Sequence, residues 1–197
     1  MKRIICVLSG LLLVLGMVSN VWAAGEKLLF SFEKDTESWE IPDWALEKED
    51  HVADSISVSS ALASEGKSSL EVKADFPGAK WTGAYVETVE YFDWTAYGTI
   101  SVDIYLPADA PMGLKGKIIL TVGENWEWTE MSKQKALEPG KWTTITANLK
   151  LGTTDWKRAA VDDAFRKDVR KLGVRVESNM KPANKGSFYI DNIRLSE

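Results

Sequence analysis

From Thr99 to Leu106 the chain reads TISVDIYL, and apolar and polar residues alternate without a break. Side chains of an extended strand point to opposite faces in turn. Ile100, Val102, Ile104 and Leu106 therefore share one buried face, with Ser101, Asp103 and Tyr105 on the other. A period of two is incompatible with a helix and marks a half-buried strand. The pattern recurs along the chain. Leu70, Val72 and Ala74 line up in SSLEVKAD, Ile118, Leu120 and Val122 in GKIILTVG, and Ile56, Val58 and Leu62 in SISVSSAL. LLFSFE, TGAYVETV, KWTTITANL, LGVRVES and SFYIDNIRL add further strands, and DFPGAK, PADAPMGLKG, EPGK and NMKPANKG punctuate the gaps with turn-forming residues. Short strands at this regular spacing predict an all-β fold, an antiparallel β-sandwich of jelly-roll type. RAAVDDAFRKDV, Arg158 to Val169, is expected to form one short crossover helix.

The segment 1–23 reads as a signal peptide. It has a basic start (MKR), an apolar run too short for a stable anchor, and small residues in VWA that place cleavage after Ala23. The domain is then 24–197. The protein is expected to be secreted, extracellular or periplasmic, with no membrane insertion after cleavage. The single cysteine, Cys6, lies in the leader, so the exported domain must hold itself together without a disulfide. Of 24 basic residues, Lys2 and Arg3 leave with the leader. The remaining 22 face 29 acids, a net charge of −7. That balance argues against nucleic acid or an anionic membrane as partner and favours a neutral ligand or a cation.

Signals for catalysis are weak. His51 is the only histidine and sits in the polar stretch EKEDHVADS, which reads as a solvated loop. Nucleophile-elbow, zinc-protease and phosphate-loop motifs are absent. Glu127 and Glu130, the best-placed acid pair, fall on opposite faces of a strand, which is poor geometry for a shared glycosidic bond. Asp162 and Asp163 are expected to cap or solvate the short helix.

Tryptophan is the stronger signal. Eight of the nine lie beyond the leader. Indole offers a large flat apolar face against which the C–H face of a sugar can stack, at about 1–3 kcal/mol per ring by analogy with base stacking. Trp39, Trp94 and Trp142 are expected to be structural, with Trp39 closing one end of the sandwich; Trp156 is undecided. Trp44 and Trp81 lie at loop–strand junctions among polar neighbours and are ligand candidates. Trp126 and Trp128, in GENWEWTE, are expected to share a strand face with Glu130. A bulge at Gly123–Asn125 would free that face from the core. Glu130 and Lys80 are candidate hydrogen-bonding partners for sugar hydroxyls.

LLFSFEKDTESWEI, SSALASEGKSSLEVKAD, GKWTTITANL, VRKLGVRVES and GSFYIDNIRL together resemble bacterial carbohydrate-binding modules of the calcium-containing β-sandwich type. The nearest resemblance is to the mannan-binding modules of β-mannanases, and it runs over nearly the whole chain after the leader. It implies non-catalytic binding of a β-linked polysaccharide or oligosaccharide, with mannan or glucomannan favoured, and association with glycan-degrading enzymes. It also implies a structural Ca2+, held by the Glu33 and Asp191 side chains, the Ser31 and Lys67 carbonyls and the loop from Ser64 to Lys67. Oxygen donors of this kind suit calcium. Such modules are usually tethered to a catalytic domain, whereas this chain reads as a leader and one domain. Two other readings use the same scaffold: a surface or adhesive sandwich that binds a protein, and a small glycan-active jelly-roll enzyme.

Overall fold

The computed structural model describes residues 25–179 and 182–197; the leader expected at 1–23 lies outside them. The elements in order are β1 (Glu26–Phe30), α1 (Asp43–Leu46), β2 (Ala53–Ser59), β3 (Ser69–Phe76), β4 (Trp81–Phe92), β5 (Thr99–Leu106), β6 (Leu114–Val122), β7 (Glu127–Glu130), β8 (Lys135–Ala136), β9 (Lys141–Asn148), α2 (Asp163–Lys167), β10 (Val169–Asn179) and β11 (Asn184–Ser196). One sheet runs β2-β3-β11-β5-β9, with β1 also on β11; the other runs β4-β10-β6-β7, with β8 also on β6. All named strand pairs are antiparallel.

The two inner faces meet in one apolar core. Ile100, Val102, Ile104 and Leu106 lie there as the alternation of β5 requires, with Leu70 and Val72 of β3 beside them and Ile118 and Leu120 of β6 opposite. In β11 the apolar parity changes at Asp191: Phe188 and Ile190 face inward, then Ile193 and Leu195. The register shifts between Asp191 and Arg194, and Asn192 has a left-handed φ of 49°. The bulge restores the inward face after two polar residues. Trp39 packs edge-on against Phe30 and Phe32 at the sandwich end, and Trp94 is fully buried beside Phe92. Trp156 is buried, with its indole N–H donating to the Asn148 carbonyl.

Three expectations are corrected. The helix expected over 158–169 shrinks to Asp163–Lys167, because Arg158 takes a left-handed φ and the Asp162 carboxylate caps the Phe165 N–H. A second helix, α1, was too short to leave a periodic signature. Asp103 faces away from the core as expected but is buried. The loop before β3 covers it, and Ser64, Thr144 and Asn192 donate to its carboxylate beside Arg194.

Among the described residues no helix is long and apolar enough to cross a membrane.

Candidate functional site

The outer face of the β4-β10-β6-β7 sheet collects most of the residues singled out above. Strand parity and register turn Trp81, Gly83, Tyr85 and Glu87 of β4 outward. With them face Lys171, Gly173, Arg175 and Glu177 of β10, Lys117, Ile119 and Thr121 of β6, and Trp128 and Glu130 of β7.

Three rings form a compact nest on this face. Trp128 stands edge-on to Trp44 at 5.7 Å between centroids, and Tyr85 is tilted against both at 5.4 Å. Strands β4 and β7 are three positions apart, so their backbones are about 14 Å apart at the usual interstrand spacing. Tyr85 and Trp128 meet because both side chains lean inward over the central strands. Ile119 lies between Gly173 and Glu130 in the cross-strand row. It points outward and is still fully buried. Trp44, Trp128, Thr121 and Lys171 line a shallow, almost wholly apolar hollow of about 320 Å³.

Trp44 reaches the nest from α1, in the connection between β1 and β2. That connection is pinned along the edge of β4 at both ends. Glu40 and Glu87 exchange backbone hydrogen bonds, while the Asp50 carbonyl and Val52 N–H pair with Gly83. Between these clamps α1 buries Ala45 and leaves Trp44 41% exposed over Tyr85. His51 belongs to this clamp. Its backbone bridges to Gly83, burial lowers its pKa, and it is half-buried rather than solvated.

Beside the nest lies a lattice of charges. Glu130 accepts from Lys157 at 2.8 Å and from Arg175 at 2.6 Å, with Lys117 at 3.2 Å. Glu177 takes Arg175 and Lys117 and accepts from the Gln134 amide. Burial would raise the Glu130 pKa; Lys157, Arg175 and Lys117 outweigh it and bring the pKa down to about 2. On the other side of the nest Glu87 accepts from the Tyr85 hydroxyl at 2.6 Å and from Lys171 at 2.7 Å. Burial, and then the Glu87 charge, pushes the Tyr85 phenol well above its ordinary value. Ionised groups fixed in this way present oriented donors and acceptors without having to reorganise.

The structure separates the pair Trp126 and Trp128. Gly123 to Trp126 form a turn closed by Trp126 N–H to the Gly123 carbonyl, and Trp126 has a left-handed φ of 55°. Its ring therefore leaves the face of β7. It stands against Tyr91 at 6.3 Å with the Arg170 guanidinium 5.3 Å from its centroid. Trp81 is also apart from the nest, with Arg175 5.4 Å from its ring centroid. Lys80 is exposed beside it. The four expected tryptophans thus occupy three places on one side of the sandwich: Trp81 with Arg175, Trp44 with Trp128, and Trp126 with Tyr91. Trp142 is half-buried on the opposite sheet against Tyr105.

Tyr85, Glu87, Lys171, Gly173 and Arg175 were not singled out from the sequence. Tyr85 and Glu87 share strand parity with Trp81, and that parity was the available signal.

Glu33 and Asp191, assigned to a metal by resemblance, both accept from the loop that carries Ser64 and Lys67. Glu33 accepts from the Lys67 N–H at 2.8 Å and the Ser68 N–H at 3.1 Å; Asp191 accepts from Ser64 and Glu65 at 2.7 and 3.1 Å. Burial pushes Asp191 up to about 6 against these donors, and the nearby Asp103 charge adds to the rise. Ser31 donates its N–H and hydroxyl to Glu37. Among the described residues no three His, Cys, Asp or Glu side chains converge. The donors offered are nonetheless all oxygen. Next to Asp191 in the chain, the Asn192 Oδ1 is buried and without a hydrogen-bond partner among the described residues, so the assigned set fits calcium in kind.

The chain is thus an antiparallel sandwich with aromatic rings and fixed charges on the outside of one sheet. Residues 30–192 match the family model described as mannanase, galactose-binding domain-like, and the chain belongs to that family. Solved structures share the fold. The CBM27-1 module of Caldicellulosiruptor saccharolyticus, in complex with mannohexaose, superposes with a TM-score of 0.60 at 20% identity, over 88% of this chain and 98% of that one. CBM28, a module specific for non-crystalline cellulose, gives 0.61 at 15% identity over 84% and 92%. The family 11 module of Clostridium thermocellum, in complex with a β-1,3-1,4-mixed-linked tetrasaccharide, gives 0.55 at 18% identity over 89% and 97%. No curated protein matches the chain.

Proposed function

We propose that this protein is a non-catalytic module that binds a neutral β-linked polysaccharide, mannan or glucomannan, on the outer face of the β4-β10-β6-β7 sheet. The observation that carries the reading is the pair of accessible indoles, Trp44 and Trp128, seated on the buried Tyr85 ring and flanked by fixed carboxylates and cations. Rings supply stacking against sugar C–H faces; Arg175, Glu130 and Lys171 bring the polar groups that hydroxyls require. The face is open, as an extended chain needs, rather than an enclosed pocket. Membership of a mannanase-associated family and the mannohexaose bound to CBM27-1 favour mannan as the ligand. A binding role fits Glu130, whose oxygens are engaged by three cations and are poorly suited to proton transfer. Trp44, Trp81, Trp126, Trp128, Glu130 and Lys80 are assigned to the ligand, with the nest as the central contact.

In this reading the protein is exported and serves enzymes that degrade the same glycan. A calcium ion at Ser31, Glu33, Ser64, Lys67 and Asp191 would tie the first strand, the loop before β3 and the last strand together. Isothermal titration calorimetry with mannohexaose, cellohexaose and xylohexaose tests the assignment. Binding of the manno-oligosaccharide is expected. A folded protein that takes up none of the three would overturn the reading. Calcium is tested separately by thermal melting in calcium and in chelator. A higher Tm with calcium supports the ion, because a ligand of the native state stabilises it by mass action. An unchanged Tm removes it.

A further inference from the structure

Gly173 stands in the interior of a central strand, where glycine is a poor choice for stability. Its φ lies outside the left-handed region, so backbone freedom does not explain it. Space does. A Cβ at this position would fall 2.6 Å from Cζ of Tyr85 and would also collide with its Cε2 and Oη. One edge of the tyrosine ring occupies the vacant position. It is only 3% exposed and is tethered at its far end by Glu87, itself fixed by Lys171. Tyr85 therefore acts as a buttress that sets the distance and tilt of Trp44 and Trp128.

We propose that Gly173 is the positioning residue of this face: the absent side chain lets Tyr85 cross the sheet and support both indoles, fixing the edge-on arrangement that they present to a sugar. The proposal rests on the glycan-binding reading for its functional consequence. It differs from that reading in locating the geometry of the site in a residue that no sugar touches. Any side chain at 173 lifts the ring, and the two indoles then lose their common support. Gly186 in β11 offers a matched comparison, since a Cβ there meets nothing within 4 Å.

The test is a cycle of Gly173→Ala, Tyr85→Ala and the double variant, with Gly186→Ala as comparison. Affinity for mannohexaose and the near-ultraviolet circular dichroism of the coupled rings are both read. Gly173→Ala is expected to weaken binding at least tenfold and to change the aromatic dichroism, while Gly186→Ala changes neither. In the Tyr85→Ala background Gly173→Ala is expected to add no further change, because the collision has been removed. The proposal is overturned if Gly173→Ala has the affinity and dichroism of the parent, or if its full effect persists without Tyr85. If the parent binds no glycan, the dichroism alone decides, and a Tyr85-dependent effect upholds positioning while the glycan reading fails. Should Gly173→Ala fail to fold, recovery of folding in the double variant supports the proposal and continued failure overturns it.

Discussion

Replacing Trp128 by alanine separates the nest from the scaffold beneath it. The indole makes two ring contacts, with Trp44 and Tyr85, and lines the apolar hollow with Thr121. One stacking platform is worth about 1–3 kcal/mol. Its loss predicts a Kd raised roughly 5- to 150-fold, since 1.4 kcal/mol is tenfold. Two aromatic pairs at about 0.5–1.5 kcal/mol each are lost to the fold as well. The side chain lies outside the sandwich core, so cooperative unfolding persists, with Tm lowered by about 2–12 °C at roughly 2–4 °C per kcal/mol. Calorimetric titration with mannohexaose gives the first number and differential scanning calorimetry the second. A folded Trp128→Ala that binds as tightly as the parent would refute the argument that this ring is a contact surface.

Trp126→Ala removes a ring that faces Tyr91 and Arg170 rather than the nest, so its affinity loss is expected to be smaller than that of Trp128→Ala; an equal or larger loss in the same titration contradicts the separation of the two indoles. Glu130 has a folded pKa near 2 against 4.5 when free, so its ion pairs stabilise the fold above pH 4.5 and are lost as pH falls toward 2. That shift amounts to about 3 kcal/mol. Glu130→Gln is therefore expected to be destabilised at pH 7 and nearly equal to the parent at pH 2, as read by urea unfolding across pH; parallel curves would refute it. Gly66 has a left-handed φ of 70° and a missing Cβ that would fall 2.8 Å from Cδ of Glu33. Gly66→Ala should cost about 1 kcal/mol or more in the same unfolding measurement; a neutral substitution would show that the Glu33 clamp on this loop is not what holds it.

The alternation of TISVDIYL and SSLEVKAD was sufficient to place the core, because one face of each strand must be buried and the period fixes which residues lie on it. The burial of Asp103 could not be read in the same way. It depends on a loop nearly forty residues earlier in the chain folding back over the strand. The site was legible in part for a similar reason. Trp44 could be singled out as an indole among polar neighbours and Trp128 as one of a close pair, but their meeting depends on Tyr85 crossing a glycine in another strand. Trp126 was misplaced because a single left-handed residue at the strand entrance turns its ring away, and alternation assumes that no such residue intervenes. α1 carries Trp44 to the face with only four residues, fewer than any helical period can reveal.

In the proposed function the rings on the β4-β10-β6-β7 face bind a neutral polysaccharide. Native affinity electrophoresis through gels containing glucomannan, galactomannan, xylan or mixed-linkage β-glucan tests it directly, with Trp128→Ala run beside the parent. Retardation of the parent in the mannan-containing gels, relieved in Trp128→Ala, is the predicted result. Unretarded migration of the folded parent in all four gels, with calcium present, would contradict the claim and turn attention to a protein partner for the same face.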